Sequence, residues 1–105
     1  MLTRIVKMEF NDSYVADFKL LFNDLKTKII EFNGCVEVKL LQHHSNPNLF
    51  FTVSIWENAI DLDNYRNSDF FKTTWQVVKL NFCSKPEAWS LICLLYTSDA
   101  ADEED

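Results

Sequence analysis

The spacing of apolar residues changes period several times along this chain, and the order of those changes leaves few folds open. In the segment 2–10, Val6, Met8 and Phe10 share one face while Ile5 and Lys7 share the other, the two-residue period of a strand. "NDS" (11–13) offers helix-capping residues, and Phe18, Leu21, Phe22, Leu25, Ile29 and Phe32 then recur in steps of three and four. The chain's only glycine, Gly34, follows at once, where a left-handed residue would end a helix. "CVEVKLLQ" (35–42) alternates again, with Val36, Val38 and Leu40 on one face. "HHSNPN" (43–48) is turn chemistry, and "LFFTVSIWE" (49–57) is a further strand.

Residues 58–82 read as helical in two pieces, broken around Asn67 and Ser68. Ser68 could cap the second piece, whose stripe is Phe71, Trp75, Val78 and Phe82. "CSKPEAWSL" (83–91) is expected to be the last strand, with Pro86 putting it at an edge or after a bend. The order β-α-β-β-α-β predicts an α+β fold, a ferredoxin-like sandwich with helices on one face of a four-stranded antiparallel sheet.

The segment 49–57 adds a demand of its own. Leu49, Phe51, Val53 and Ile55 make one apolar face, while Phe50 and Trp56 lie on the other with Thr52 and Ser54 between them. Helices cover only one face of a sheet, and a face left to water would alternate more cleanly with polar residues. The face of Phe50 and Trp56 is therefore expected to need a second cover. A second copy of the same sheet supplies it most simply, predicting a homodimer.

Bulk properties narrow the function classes. A hydrophobic share of 48% excludes disorder for most of the chain. The net charge of −6 is concentrated at the end, where Asp99, Asp102, Glu103, Glu104 and Asp105 are unopposed; the rest holds ten bases against eleven acids. No basic face for nucleic acid is expected. The N-terminal residues alternate charged with apolar types, so neither a signal peptide nor a membrane span is expected there. Cys35, Cys83 and Cys93 form no CxxC pair and have no histidine at ligand spacing, so they read as reduced thiols in a cytoplasmic protein, without a metal.

Several side chains are candidates for chemistry, each with a plainer role beside it. Trp56 could wall a pocket or simply pack on the sheet. Tyr65 offers a phenol to a substrate oxygen, or a ring in the core with its hydroxyl in water. Trp75 lies on the helical stripe and reads first as core. Arg66 could clamp an anion, although a lone helix arginine is ordinarily solvated. His43 and His44 are expected to point opposite ways on a solvated loop and so not to chelate. Lys7 and Glu9 could pair on the surface, and Cys35 and Cys83 read as small packing residues.

With "SIWENAIDLDNYRNSDFF" in view, residues 2–91 resemble the antibiotic biosynthesis monooxygenase family of dimeric α/β barrels. The resemblance lies in a strand ending in Trp-Glu, a short helix with Leu62, and "NSDFF" opening the next helix; "NPNLFFTVSIWE" and "KPEAWS" add to it. It implies the same fold and a homodimer. Many members carry two histidines at the positions of Tyr65 and Phe70, which cannot take over an imidazole's proton-carrying role at neutral pH. The haem-degrading branch would need an Asn, a Trp and a His where this chain has Thr3, Tyr65 and Trp75, so haem degradation is not expected.

What the resemblance still implies is oxygenation without cofactor or metal, in which a quinol or similar small aromatic loses a proton and its anion reduces oxygen. The expected pocket has Trp56, Tyr65, Phe71 and Trp75 as walls and Thr3, Asn64 and Tyr65 as hydrogen-bonding groups, with Tyr65 the candidate catalytic residue. A non-catalytic dimer binding a small apolar ligand, or serving a stress role, is the alternative reading, and a proton-transfer enzyme a third. From Cys93 onward "CLLYTSDAADE" resembles translated sequencing adapter. Residues 1–92 are thus expected to form the domain, with 93–105 a non-native or disordered tail.

Overall fold

The computed structural model describes residues 1–95, so the expectations for residues 96–105 lie outside the described residues. The elements run β1 (Leu2–Glu9), α1 (Val15–Ile29), β2 (Cys35–Gln42), β3 (Leu49–Trp56), α2 (Ala59–Arg66), α3 (Asp69–Val78) and β4 (Glu87–Ile92). The sheet order is β2-β3-β1-β4 with every neighbouring pair antiparallel, the split β-α-β arrangement of a ferredoxin-like α+β sandwich. β4 is an edge strand, and Pro86 stands just before it, where its missing N–H breaks no ladder.

The helical layer packs on the face of Met8, Phe50 and Trp56, and Phe18, Phe22, Leu25, Ile29, Leu62 and Val78 complete the core. Phe10 sits at one end of it, 4.4 Å from Phe18 between ring centroids. This reverses the expected assignment of faces. Phe50 is 1% and Trp56 0% exposed, so the chain's own helices cover them. The outward face carries Leu49, Phe51, Val53 and Ile55, in register with Ile5 and, beyond it, Trp89. Thr52 and Ser54 misled because they face a cavity under the helices, not solvent.

Local details also depart from the sequence reading. α1 has no side-chain cap; Asn11 starts a short 3-10 turn over Asp12–Tyr14 through its carbonyl, which accepts from the Tyr14 amide at 2.9 Å. α1 stops at Ile29, and Gly34 acts later, with φ of +83°, turning the chain into β2. A register shift between Cys35 and Glu37 makes Val36 a bulge residue, 45% exposed, instead of a partner of Val38 on the inner face. Glu9 bonds Asn46 and Ser84, each at 3.1 Å, and among the described residues it forms no ion pair with Lys7. The helix break follows expectation: the Ser68 hydroxyl accepts from the Phe71 amide at 3.1 Å, capping α3.

Candidate functional site

Strand alternation sends Arg4, Val6 and Met8 of β1 to the helix side, opposite Ser54, Thr52 and Phe50 of β3. Between this floor and the helices lies a cavity of about 340 Å³, within the size range of small-ligand sites. Tyr65 of α2 and Phe71 and Trp75 of α3 wall it, with Thr52, Ser54 and Thr74 supplying hydroxyls. The α2–α3 joint positions the aromatic wall. Ser68 donates its hydroxyl to the Tyr65 carbonyl at 2.6 Å while capping α3, which ties Tyr65 to Phe71 across the turn. Their rings meet edge to face at 5.1 Å, and Phe71 lies nearly parallel to Trp75 at 6.1 Å.

Tyr65 is the most constrained member. Its ring stacks on Trp56 at 5.1 Å and meets Phe32 edge-on at 5.0 Å. Among the described residues its hydroxyl has no hydrogen-bond partner. Burial, and then the neighbouring Cys35 thiol, push the Tyr65 phenol well above its usual range. The group therefore remains a neutral donor at physiological pH and cannot serve as a phenolate base. Burial likewise pushes the Cys35 thiol up, partly offset by its contact with the Glu37 carbonyl.

Of the expected pocket residues, the fold brings Tyr65, Phe71 and Trp75 together and leaves three out. Trp56 is fully buried behind Tyr65, and its indole N–H is satisfied by the Ser54 hydroxyl at 2.9 Å. Thr3 lies on the outward sheet face, opposite Ile55 and Leu91, because it is one strand position out of phase with Arg4. Asn64 is exposed, turned away from the cavity by a single helical step from Tyr65.

Two cationic side chains join the site. Arg66, read from sequence as solvated, is exposed at the end of α2 yet also lines the cavity. Arg4 is half-buried, and its signal was present in the sequence: a cation in phase with the inward-facing Val6, Met8 and Phe10. Burial first and Arg66 second hold the Arg4 pKa below the usual arginine value, with Asp63 opposing. Away from the cavity, His43 and His44 do not diverge. Their rings stack at 5.0 Å because the chain bends there, and His43 Nδ1 accepts from the Ser45 and Asn46 amides at 3.2 and 3.1 Å. Among the described residues no three His, Cys, Asp or Glu side chains converge.

A four-stranded antiparallel sheet with helices over one face and an aromatic-walled cavity between them makes this a ferredoxin-like α+β protein. The chain belongs to the antibiotic biosynthesis monooxygenase family, whose sequence profile matches residues 1–76. No curated protein sequence matches it significantly. Among solved structures it is similar to an antibiotic biosynthesis monooxygenase, with TM-score 0.84 and 15% identity over 90% of this chain and 100% of that one. A conserved protein from Methanosarcina mazei Go1 gives 0.80 and 22% over 87% and 91%. A variant of SnoaB, a cofactor-independent oxygenase from Streptomyces nogalater, gives 0.83 and 12% over 93% and 97%. No helix among the described residues is long and apolar enough to cross a membrane.

Proposed function

We propose that this protein is a cofactor-independent monooxygenase acting on a quinol or a similar small aromatic. The observation that carries the reading is the cavity walled by Tyr65, Phe71 and Trp75, whose size and apolar aromatic lining suit a small aromatic substrate. Family membership and the likeness to SnoaB support it. A hydroquinone first loses a proton to solvent. Its anion reduces oxygen, one oxygen atom enters the ring and the other leaves as water, and the product is a hydroxyquinone. The substrate supplies all four electrons. In this scheme Tyr65, held neutral, donates a hydrogen bond to the substrate oxyanion, and the apolar walls exclude water while the anion persists.

The test is oxygen uptake by the purified protein with a panel of hydroquinones. Uptake that is lost in Tyr65→Phe supports the catalytic phenol. Absence of uptake with every hydroquinone rejects the oxygenase and leaves a binding protein of the same fold. That alternative has one feature in its favour: by the family resemblance Tyr65 and Phe70 match the positions of proton-carrying histidines, and neither side chain can take that role.

We further propose that two copies pair through their outward sheet faces. Ile5, Phe51, Val53, Ile55, Trp89 and Leu91 form an apolar surface that the subunit's own helices do not cover, with Trp89 40% and Leu91 47% exposed. The unbridged Cys35, Cys83 and Cys93 suit a reducing, cytoplasmic setting.

A further inference from the structure

Arg4 and Arg66 come from different elements, a strand and a helix end, yet both line one largely apolar cavity. They lie close enough for the charge of Arg66 to act on Arg4. Among the described residues neither guanidinium has an ion pair; the one such pair is Lys39 with Glu37, on the opposite sheet face. Among the described residues Arg4 makes one side-chain hydrogen bond, from Nη1 to the Ser90 hydroxyl at 3.1 Å, which engages one of its five N–H donors. Asp63 is near enough to be felt by Arg4, and Glu87 also borders the cavity, but neither carboxylate forms an ion pair with either arginine. Like charges brought together beside apolar walls, one of them half-buried, are unfavourable unless an anion joins them. A planar fork suits a carboxylate above other anions of this size, because both oxygens can be met at once.

We propose that the ligand of this cavity is an aromatic carboxylate, its carboxylate held between Arg4 and Arg66 and its ring against Phe71 and Trp75. This rests on the reading of the cavity as the substrate site and narrows the substrate to a hydroquinone bearing an acid group. Arg66, exposed at the end of α2, meets the carboxylate at the entrance, while Arg4 fixes it against the sheet floor. The ring is then directed towards Tyr65. A neutral quinol would offer neither guanidinium a negative charge.

The experiment is a binding titration on the full chain, followed by tryptophan fluorescence and calorimetry, with 2-naphthoate and its neutral counterpart 2-naphthalenemethanol. Naphthoate is expected to bind about tenfold tighter or more, the range of a charge-assisted hydrogen bond, and the preference should shrink as salt is added. Arg66→Gln, at an exposed position that leaves folding intact, lowers the acid-over-alcohol ratio about tenfold. Arg4→Gln does the same, and Arg4→Lys restores part of the ratio by returning the charge without the fork. Equal affinity for the two compounds, no binding of naphthoate, or an unchanged ratio in Arg66→Gln overturns the proposal. The two readings fail separately. Oxygen uptake on neutral hydroquinones with no charge preference removes only the carboxylate site, whereas charge-selective binding without any uptake removes only the oxygenase.

Discussion

Tyr65 stacks on Trp56 with ring centroids 5.1 Å apart and planes 27° from parallel. Trp56 is fully buried and anchored through its indole N–H to Ser54, so the tyrosine ring rests on a fixed surface. A phenol so enclosed resists ionisation, because its anion would lose water without gaining a partner.

That relationship predicts a pH dependence. The Tyr65 pKa is raised in the folded chain, so its contribution is fully present below the unfolded value of 10.0 and is lost as pH rises above it. The unfolded chain binds fewer protons than the folded one in that window, and stability falls with pH. Tyr14 shifts in the same direction by burial and contributes to the fall. Denaturant titrations across pH 9 to 12 should show this alkaline loss, and Tyr65→Phe should blunt it. At neutral pH the same variant should keep its stability to within about 1 kcal/mol, since the hydroxyl it removes has no partner. A loss of several kcal/mol there would mean the hydroxyl is bonded after all.

Gly34 is required for two independent reasons. Its φ of +83° disfavours any side chain, and a Cβ there would fall 2.1 Å from Asp61 Oδ2 and 2.4 Å from Asp61 Cγ. Asp61 has little freedom to retreat, being buried and bonded to the Asn33 side-chain amide at 3.0 Å. Gly34→Ala should cost about 2 kcal/mol or more and lower Tm by roughly 10 °C. Adding Asp61→Ala should return part of that loss, because it removes the collision but not the backbone strain. Thermal melts of the single and double variants measure both effects.

Ser68 links two functions through one hydroxyl. It accepts from the Phe71 amide to cap α3 and donates to the Tyr65 carbonyl at the end of α2. Ser68→Ala should lose about 1 kcal/mol, and Ser68→Asp should keep most of the cap. If the joint positions the cavity wall, ligand affinity falls with Ser68→Ala as well. A variant that melts earlier but binds unchanged would confine the residue to capping.

Val53 lies opposite Ile5 on β1, at the middle of the outward face. If two copies meet there, Val53→Lys places like charges against each other across the two-fold axis and should give a monomer by light scattering, where the unaltered chain gives twice the monomer mass. The buried core behind β3 should be untouched, with a near-native circular dichroism spectrum. A monomeric unaltered chain would reject the pairing.

The secondary structure was legible in the sequence because period depends on neighbours only. Alternation in β1 and β3, the three-and-four stripe of α1, and the Ser68 break between α2 and α3 each follow from residues within a few positions. The aromatic wall of Tyr65, Phe71 and Trp75 was legible for the same reason, since all three lie on two consecutive helices. Which face of β3 the helices would choose was not. Both faces are apolar, and Thr52 and Ser54 look solvent-facing until the cavity above them exists. Arg4 belongs to the site only because β3 and α2 bring Ser54 and Arg66 to it from more than forty residues away, while Thr3, one position before it, faces outward. The elements, their order and the aromatic make-up of the pocket could be read from residue spacing, because spacing along a strand or helix is a local property. Which sheet face turned inward, and which cations went with it, came from packing between distant segments that no local pattern connects.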